Sequence, residues 1–310
     1  MIEFRHLEVL REFAARGSVT AVAQATHRTP SAVSQQLKAA ERAAGVPLFT
    51  TVGRGLRLTD AGQLLASGGV DVATALERVR ASWDDYVSTP SGTVRVAGFP
   101  SAASVLMPGV LADPSITDAG GIDVILTDID PAERDFAALT VDHDLVLAHS
   151  TSGGPPTGSE ELIVVPLGRE RLDIAMPATH PLASQEAVNP EDVIQLGWIG
   201  VPRGYPFDIL LESIAHHTGV EPSVLQRVKD NRLVEAIVAA SATRTDGGCL
   251  AILPRWSSTT DAQIALRPLI GINAVRDVFA VMRPEKAQRR AVQKVLRLLI
   301  DHTPEDDHAP

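Results

Sequence analysis

The chain has 310 residues, of which 45% are apolar and 21% carry charge, a composition typical of a globular protein with two or three packed domains. Its single cysteine, Cys249, excludes an internal disulfide and a metal site built from several cysteines. No uninterrupted apolar run reaches the ~18 residues of a membrane-spanning helix. The N-terminal segment has acidic residues where a secretory signal would be basic and apolar, so we expect a cytoplasmic protein with no membrane partner.

Charge is distributed unevenly along the chain, whose formal net charge is −10. The first 60 residues hold eight Lys and Arg against five Asp and Glu, whereas the remaining 250 hold 20 basic and 33 acidic residues. A basic N-terminal segment ahead of an acidic body indicates that the first part meets a polyanion such as nucleic acid and the rest does not.

Three helices are predicted within the first 45 residues. Apolar residues recur every third position between residues 4 and 13, which predicts an amphipathic helix that ends before Gly17. Ser18 can cap a short second helix, and Thr29 followed by Pro30 is a strong start signal for a third helix that reaches about residue 44. Two short helices joined by a tight turn and packed on a preceding helix predict a helix-turn-helix.

The outer face of the third predicted helix is polar. Its side chains are three or four residues apart and therefore share one side of the helix: Ser31, Ser34, Gln35 and Lys38. Glutamine can form two hydrogen bonds to adenine, serine serves several base edges, and lysine suits phosphate or guanine. An isolated polar stripe is usually a solvated helix face, but its position on the second helix of the motif favours a DNA-reading surface.

A β-hairpin is predicted directly after the third helix. Gly53 and Gly55 flank Arg54 in a tight turn between two short extended segments, and Arg57 lies in the second segment. This hairpin is a candidate wing, with Arg54 at its tip and Arg57 nearby to contact DNA phosphates.

The segment from residue 18 to residue 62 resembles the winged helix-turn-helix of the LysR-type transcriptional regulators. The matching residues are Ser18, Thr20, Ala23, the run 31–34, Glu41, Gly45, the run 47–49, Gly53, Arg54, Leu58, Thr59, Ala61 and Gly62. The resemblance implies regulation of transcription through double-stranded promoter or operator DNA. We expect DNA contacts from Ser18, Thr20, Thr29, Pro30, Ser31, Ser34, Gln35, Lys38, Arg54 and Arg57. The family pattern is not followed at Thr26, at Pro30 with Ser31, or at Thr51, which affects the expected base preference and not the fold.

A long linker helix from Thr59 to about Val87 is predicted next. Its apolar residues are spaced seven, four, three, four and three apart, as in a two-stranded coiled coil: Leu65, Val72, Leu76, Val79, Trp83 and Tyr86. Spacing alone also allows the helix to lie on its own domain, but the family resemblance favours a homodimer through this seam and further assembly into a tetramer. Gly68 and Gly69 predict a soft point or bend, since each glycine costs about 1 kcal/mol relative to alanine.

The body of the chain alternates between β-rich and helical segments. The βαβαβ order at 94–148 predicts a parallel sheet with helices on both faces. Further strands are expected at 162–165, 172–176, 198–201, 224–228, 249–253, 265–268 and 278–282. The predicted domains are a winged helix-turn-helix (1–58), a linker helix (59–89), one lobe (90–163 with 264–301), a second lobe (164–263) and a disordered acidic tail (302–310).

This body also resembles the LysR-type family, in stretches that begin at residues 92, 142, 172, 198, 249 and 278. The resemblance implies a two-lobed α/β effector domain like a periplasmic binding protein, with a small-molecule effector in the cleft. It places these residues in that cleft: Ser101, Ala102, Thr127, Asp128, His149, Pro202 and Arg203. A helix N-terminus near Ser101 and the cation of Arg203 favour an anion. Asp128 would repel an anion, so an amino acid or another zwitterion remains equally compatible.

An enzyme, or a two-lobed solute-binding protein with an incidental helix-turn-helix, is the alternative function. The sequence has no phosphate-binding glycine loop, no metal-spaced His/Cys cluster and no nucleophile elbow, so we expect no catalysis, no cofactor and no metal. Cys249 lies in an apolar predicted strand, which favours packing over redox sensing. The expected mechanism is allosteric: the effector selects one lobe arrangement, which sets the placement of DNA-binding dimers and contact with RNA polymerase.

Overall fold

The structure is a computed structural model that describes residues 1–53, 55–87, 91–117, 121–244, 247–258 and 263–305. Its internal contacts divide the chain into two compact units. The first comprises Met1–Gly92 and Arg283–Gln293, and the second comprises Thr93–Met282 and Lys294–Pro310.

The first unit begins with three helices at the predicted positions. They are α1 (Phe4–Arg16), α2 (Val19–Ala25) and α3 (Pro30–Ala44). Gly17 and Gly45 end α1 and α3 at φ angles of 70° and 72°, a left-handed conformation that costs glycine little. The hydroxyls of Ser18 and Thr29 accept hydrogen bonds from the backbone N–H three residues ahead, at 3.1 and 3.2 Å. Both predicted caps are therefore present.

The three helices share one core, and a two-stranded wing follows them. Their buried apolar residues include Leu10, Phe13, Val33 and Leu37, and Leu48 joins them from the start of the wing. Strands β1 (Phe49–Val52) and β2 (Gly55–Leu58) pair antiparallel. The carboxylate of Glu41 in α3 accepts a hydrogen bond from the backbone N–H of Leu48 at 2.9 Å. This bond fixes the wing to the C-terminal half of α3.

The linker helix α4 (Asp60–Val87) packs on α1 through small residues. Gly69 is buried on this face, and a Cβ atom on it would lie 2.8 Å from the carbonyl oxygen of Leu7. The sequence predicted a soft point at this glycine pair. At Gly69 the structure shows instead that the backbone of α1 approaches too closely for any side chain. A Cβ on Gly68 meets no atom within 4 Å.

The second unit is a larger α/β structure. The remaining helices of the chain are α5 (Pro100–Ala112), α6 (Pro114–Thr117), α7 (Phe136–Leu139), α8 (Pro190–Val193), α9 (Pro206–Thr218), α10 (Asn231–Ala240), α11 (Pro284–Ala287) and α12 (Arg290–Asp301). The remaining strands are β3 (Gly92–Gly98), β4 (Ile122–Asp128), β5 (Leu145–Ser150), β6 (Ile163–Pro177), β7 (Gly197–Gly200), β8 (Ser223–Arg227), β9 (Cys249–Pro254), β10 (Ile264–Arg267) and β11 (Val275–Met282). Within the first unit, α11 packs on α4, and its Glu285 lies 3.2 Å from the guanidinium of Arg11.

The sheet is mixed and not parallel throughout. Its order is β4-β3-β5-β11-β6-β9-β7-β8, and β10 also pairs with β6. β3 pairs parallel with β5, and β7 pairs parallel with β8 and β9. β11 runs antiparallel to β5 and β6, and β6 runs antiparallel to β9 and β10. The predicted parallel pairing is therefore present between β3 and β5 and in the set β7, β8 and β9, whereas β6, β10 and β11 run antiparallel to their neighbours.

Strand β6 decides where the two lobes meet. Its first part, Ile163–Arg171, pairs with β11, and its second part, from Leu172 onward, pairs with β9 and β10. Two separate strands were expected here, because the polar run 168–171 looks like a loop in the sequence. We define lobe 1 as residues 93–171 with 275–282, and lobe 2 as residues 172–274.

These strand pairings correct the predicted lobe boundaries. Residues 164–171 belong to the sheet of lobe 1, and β10 belongs to that of lobe 2, since a strand belongs with its hydrogen-bonded partners. The first residues of the predicted disordered tail also differ from the prediction, because they contact the rest of the second unit. His302 and Thr303 hydrogen-bond back to α12, and the His302 ring lies against Gly109 of α5. Residues 306–310 of the predicted tail lie outside the described residues.

Candidate DNA-binding face and interlobe cleft

Helix α3 presents the polar face that its sequence predicts. Ser31, Gln35 and Lys38 are exposed, and Ser34 is half-buried beside them. The inward side of the same helix is formed by Val33, Leu37 and Ala40, which are buried in the helix-turn-helix core. Because the apolar residues fix the rotation of the helix, the polar ones face away from the protein.

The other predicted DNA contacts surround this face. Thr29, whose hydroxyl caps α3, lies 3.0 Å from the Ser31 hydroxyl, and both residues are exposed. Ser18, Thr20 and Pro30 are exposed on the helix-turn-helix, and Arg57 is exposed on β2. Arg54 lies outside the described residues. The sequence interpretation did not include Arg28, an exposed cation in the turn that donates to Gln36 at 2.8 Å.

The second unit contains a cavity of about 510 Å³ between its two lobes. Lobe 1 contributes the start of α5, the residues after β4, and His149 at the end of β5. Lobe 2 contributes the starts of α9 and α10. The lining residues are Phe99, Pro100, Ser101, Ser104, Asp128, Ile129, Asp130, His149, Val201, Tyr205, Pro206, Phe207, Lys229, Asp230, Asn231, Arg232, Glu235, Ser257 and Arg276.

Three of the seven predicted cleft residues line this cavity: Ser101, Asp128 and His149. Ala102 is fully buried in α5, and the hydroxyl of Thr127 lies 3.3 Å from His143, away from the lining. Pro202 is also absent from the lining, although its neighbour Val201 is part of it. Arg203 is exposed and lies beside Glu221 and Pro222 on another surface of lobe 2. The predicted carboxylate clamp at Arg203 is therefore not part of the cavity.

The most deeply buried of the three cations that line the cleft is Arg276 of β11. Its side chain is 3% exposed, and its guanidinium lies 2.5 Å from the carboxylate of Glu170, which is fully buried. It also donates to the Ser101 hydroxyl at 2.7 Å and lies over the ring of Phe99, 4.8 Å from the centroid. Sequence reasoning missed this pair, because Glu170 and Arg276 lie 106 positions apart in the chain.

His149 lies beside this ion pair and is almost completely buried. Its ring meets those of Phe99 and Phe136 edge-on, at centroid distances of 4.9 and 4.8 Å. Its Nδ1 atom has no hydrogen-bond partner among the residues that the structure describes. Burial, followed by the charge of Arg276, lowers the pKa of His149 well below its ordinary value, so the ring is neutral at physiological pH.

A second set of contacts joins the two lobes directly. The carbonyl oxygen of Asp130 in lobe 1 accepts a hydrogen bond from Lys229 Nζ at 2.7 Å and from the Tyr205 hydroxyl at 3.3 Å. The ammonium group lies 3.5 Å from the Asp130 carboxylate and 5.3 Å from the Tyr205 ring centroid. Burial raises the pKa of Asp130, against the opposing effect of Lys229. Burial lowers the pKa of Lys229, but Asp130 and Tyr205 outweigh it and the net pKa is raised.

A winged helix-turn-helix followed by a two-lobed α/β unit with a cleft is the architecture of a DNA-binding regulator that responds to a small molecule. Family models agree with this class. The model "Bacterial regulatory helix-turn-helix protein, lysR family" matches residues 4–63, and "LysR substrate binding domain" matches residues 87–304. The chain belongs to the LysR family of transcriptional regulators.

Curated relatives agree over nearly the whole length. "HTH-type transcriptional regulator CbbR" of Xanthobacter flavus is 27% identical over 305 residues, covering 95% of this chain and 86% of the relative. "Transcriptional dual regulator GltC" of Bacillus subtilis is 25% identical over 289 residues, covering 93% of this chain and 92% of the relative.

Solved structures share the fold at low identity. A full-length OxyR variant from Pseudomonas aeruginosa aligns with a TM-score of 0.64 at 15% identity, covering 100% of this chain and 99% of that one. CbnR complexed with its target DNA aligns at 0.50 and 21%, covering 96% and 100%. The CcmR regulatory domain of Synechocystis PCC6803 with 2-PG aligns at 0.57 and 17%, covering 69% and 99%. In the described part of the chain, no helix is both long and apolar enough to span a membrane.

Proposed function

We propose that this regulator binds double-stranded operator DNA through α3 and the wing, and that a small molecule in the interlobe cleft modulates this binding. The observation that carries the proposal is the exposed polar face of α3, with Gln35 and Lys38 on the solvent side of a helix whose other side is buried. Side chains of this type on a recognition helix form hydrogen bonds with base edges and contacts with phosphates. The solved complex of the related CbnR with its target DNA supports the same role.

The cleft is the proposed effector site. Its volume of about 510 Å³ lies within the range of small-molecule pockets, and both lobes contribute polar groups to it. The CcmR regulatory domain has the same fold and was solved with 2-PG. Among the seven residues that the family resemblance placed in the cleft, we keep Ser101, Asp128 and His149 as proposed contacts and add Tyr205, Lys229 and Arg276.

A homodimer through α4 is the proposed basic assembly. Val79, Trp83 and Tyr86 are 67%, 62% and 80% exposed, whereas the small residues on the other side of the helix are buried. Leu65 is half-buried against the helix-turn-helix core and is not part of this free seam. A partner helix would cover the exposed apolar row by coiled-coil packing and would place two recognition helices on adjacent half-sites.

Assembly of two dimers into a tetramer is supported by the edge strands of the second unit. β4 and β8 lie at the two ends of the sheet order, and Ile125, Leu126 and Leu225 are exposed on them. In such an assembly an effector with different affinities for two lobe arrangements would shift the spacing of the DNA-binding dimers. Contact with RNA polymerase would follow from that spacing.

A mobility-shift assay with the chain's own upstream intergenic DNA tests the DNA-binding role. We expect specific binding that weakens as salt rises, because contacts with phosphates release counterions. Gln35→Ala should lose about 1–3 kcal/mol of discrimination over random DNA, and Lys38→Ala should weaken binding to all sequences alike. Gln63→Ala, an exposed glutamine on α4, is the matched control and should bind like wild type.

The outcomes distinguish an error in the assignment of the α3 face from an error in the proposed regulator function. If Gln35→Ala and Lys38→Ala both behave like Gln63→Ala while wild type still binds specifically, the assignment of the α3 face is wrong. If wild type shows no preference for any DNA in a genomic binding selection, the regulator role itself fails. A role in regulation and not in catalysis is supported by the relatives, whose names describe transcriptional regulators.

A further inference from the structure

The charges of the side chains that line the cleft do not sum to zero. The acidic ones are Asp128, Asp130, Asp230 and Glu235, and the basic ones are Lys229, Arg232 and Arg276. His149 adds no charge, because burial keeps its ring neutral. The lining therefore has an excess of negative charge, and a charged ligand would have to complement it.

Each of the three cations already has an acidic partner. Arg276 is held by the buried Glu170, whose carboxylate lies 2.5 Å away. Arg232 lies 3.0 Å from Glu235, and Lys229 lies 3.5 Å from the carboxylate of Asp130. An anionic ligand would have to compete with these carboxylates for the same cations.

Asp128 is in the opposite situation. It is exposed at the end of β4 and lines the cavity, and its carboxylate has no hydrogen bond or ion pair with any described residue. The carboxyl of Asp130 lies close enough for the charge of Asp128 to raise its pKa. The rim of lobe 1 thus presents an unpaired carboxylate beside a second acidic group, which creates a negative potential at this end of the cleft.

We propose that the effector carries a positively charged nitrogen group, a protonated amine or a guanidinium, and that Asp128 binds this group. The inference rests on the proposed role of the cleft as effector site and names the chemical class of its ligand. A carboxylate and an ammonium or guanidinium group form charge-assisted hydrogen bonds, which are stronger than neutral ones. A ligand of this class also removes the negative excess of the lining.

Two further features of the cavity suit such a ligand. The rings of Tyr205, Phe207 and Phe99 line it, and aromatic faces attract cations; Lys229 and Arg276 already lie over these rings. His149 is 1% exposed and lines the cavity, and its Nδ1 has no hydrogen-bond partner among the described residues. A neutral imidazole nitrogen can accept a hydrogen bond from the N–H of a protonated amine or a guanidinium.

Thermal shift and calorimetric titration of the full chain test the ligand class. The cationic and zwitterionic probes are putrescine, agmatine and the twenty protein amino acids, and the anionic probes are succinate, 2-oxoglutarate and 3-phosphoglycerate. We expect stabilisation by at least one amine and none by the three anions. Asp128→Asn should weaken that binding about tenfold or more, because the amide cannot form the ionic contact. Asp123→Asn, also exposed on β4 but outside the lining, is the matched control and should bind like wild type.

Stabilisation by anions alone, by no probe at all, or by an amine equally in wild type and Asp128→Asn would overturn the proposal. The same preparations are tested for mobility shift of the upstream DNA without ligand. A lost DNA shift counts against the proposed regulator function, whereas a normal shift together with anion-only stabilisation counts against the ligand class alone. The two failures are therefore distinguishable.

Discussion

The face of α3 and the interlobe cleft both present polar side chains, but the protein holds them in different ways. On α3, Gln35 and Lys38 are exposed and are supported only by the helix beneath them. In the cleft, Arg276 and Glu170 form a buried ion pair that Ser101 extends. The first surface is open to a large partner from outside, while the second is a cavity of about 510 Å³ whose charged groups are already fixed by one another.

Because of this difference, substitutions on the two surfaces should have different effects on stability and on binding. Residues on an exposed face can change with little effect on folding. Buried charges are different, because removing one partner leaves the other uncompensated in a poorly polarisable interior. Substitutions of the buried charges in the cleft should therefore alter folding and ligand binding together, and substitutions of the exposed Gln35 and Lys38 on α3 should alter DNA binding alone.

The largest effect is expected from Glu170→Gln, which leaves the charge of Arg276 buried and unpaired. We expect a loss of about 3–5 kcal/mol in the free energy of unfolding, measured by urea denaturation. The control is Arg169→Ala, which removes a pair one residue away: Arg169 and Asp277 lie 2.8 Å apart, and the arginine is largely exposed. Its cost should stay below about 1 kcal/mol. Equal losses in the two variants would contradict the contrast between buried and exposed charges.

The two glycines of α4 should respond in opposite directions. Gly69→Ala places a Cβ atom 2.8 Å from the carbonyl oxygen of Leu7 and should destabilise the chain by about 1–3 kcal/mol. Gly68→Ala meets no atom within 4 Å and should stabilise it by about 1 kcal/mol, because alanine favours the helix. Thermal unfolding of both variants checks this pair. A stabilising Gly69→Ala would mean that α1 does not pack closely on α4.

His149 should make stability depend on pH. Its pKa is lowered in the folded state, so the unfolded chain binds the proton more tightly and acid favours unfolding. The cost begins as pH falls below the ordinary histidine pKa of 6.5 and grows by up to about 1.4 kcal/mol per pH unit toward the folded pKa. His149→Phe keeps the ring packing and should remove this slope from urea unfolding curves measured between about pH 5 and about pH 7.

The control for this slope is His216→Gln, which changes an exposed histidine and should leave the pH dependence unaltered. His180 contributes in the same direction in every variant, because burial lowers its pKa as well. If His149→Phe retains the full slope of wild type, the ring of His149 is not buried as described.

The smallest effect is expected on α3 itself. Thr29→Ala removes the hydroxyl that accepts the hydrogen bond from Ala32 N and should cost about 1 kcal/mol, while Thr29→Ser should retain most of it. Gln35→Ala should change the free energy of unfolding by less than about 0.5 kcal/mol. A large loss of stability in Gln35→Ala would show that the polar face supports the fold, and the comparison with the cleft would no longer hold.

Much of the first unit was predictable because its signals are local. The bounds of α3, the caps at Ser18 and Thr29 and the position of the wing follow from residues only a few positions apart. In the second unit the same signals located most strands. They failed at β6, because its polar middle segment forms a strand only when β11 and Arg276 lie beside it.

The cleft shows the same limit for a functional site. The family resemblance placed Ser101, Asp128 and His149 at the cleft, and each of them lines the cavity. Arg203 follows a predicted strand, but it lies on another surface of lobe 2. A sequence position after a strand specifies an edge of the sheet, and it does not specify the direction of the side chain.

The sequence by itself determined the helix-turn-helix, the linker helix and the two-lobed class, because caps, apolar spacing and family motifs are properties of neighbouring residues. Only the tertiary structure decided which charges meet. Glu170 and Arg276 are 106 positions apart, and Lys229 lies 99 positions from Asp130. Such pairs depend on how β6, β11 and the two lobes are arranged, since the energy of a buried charge is set by its neighbours in space.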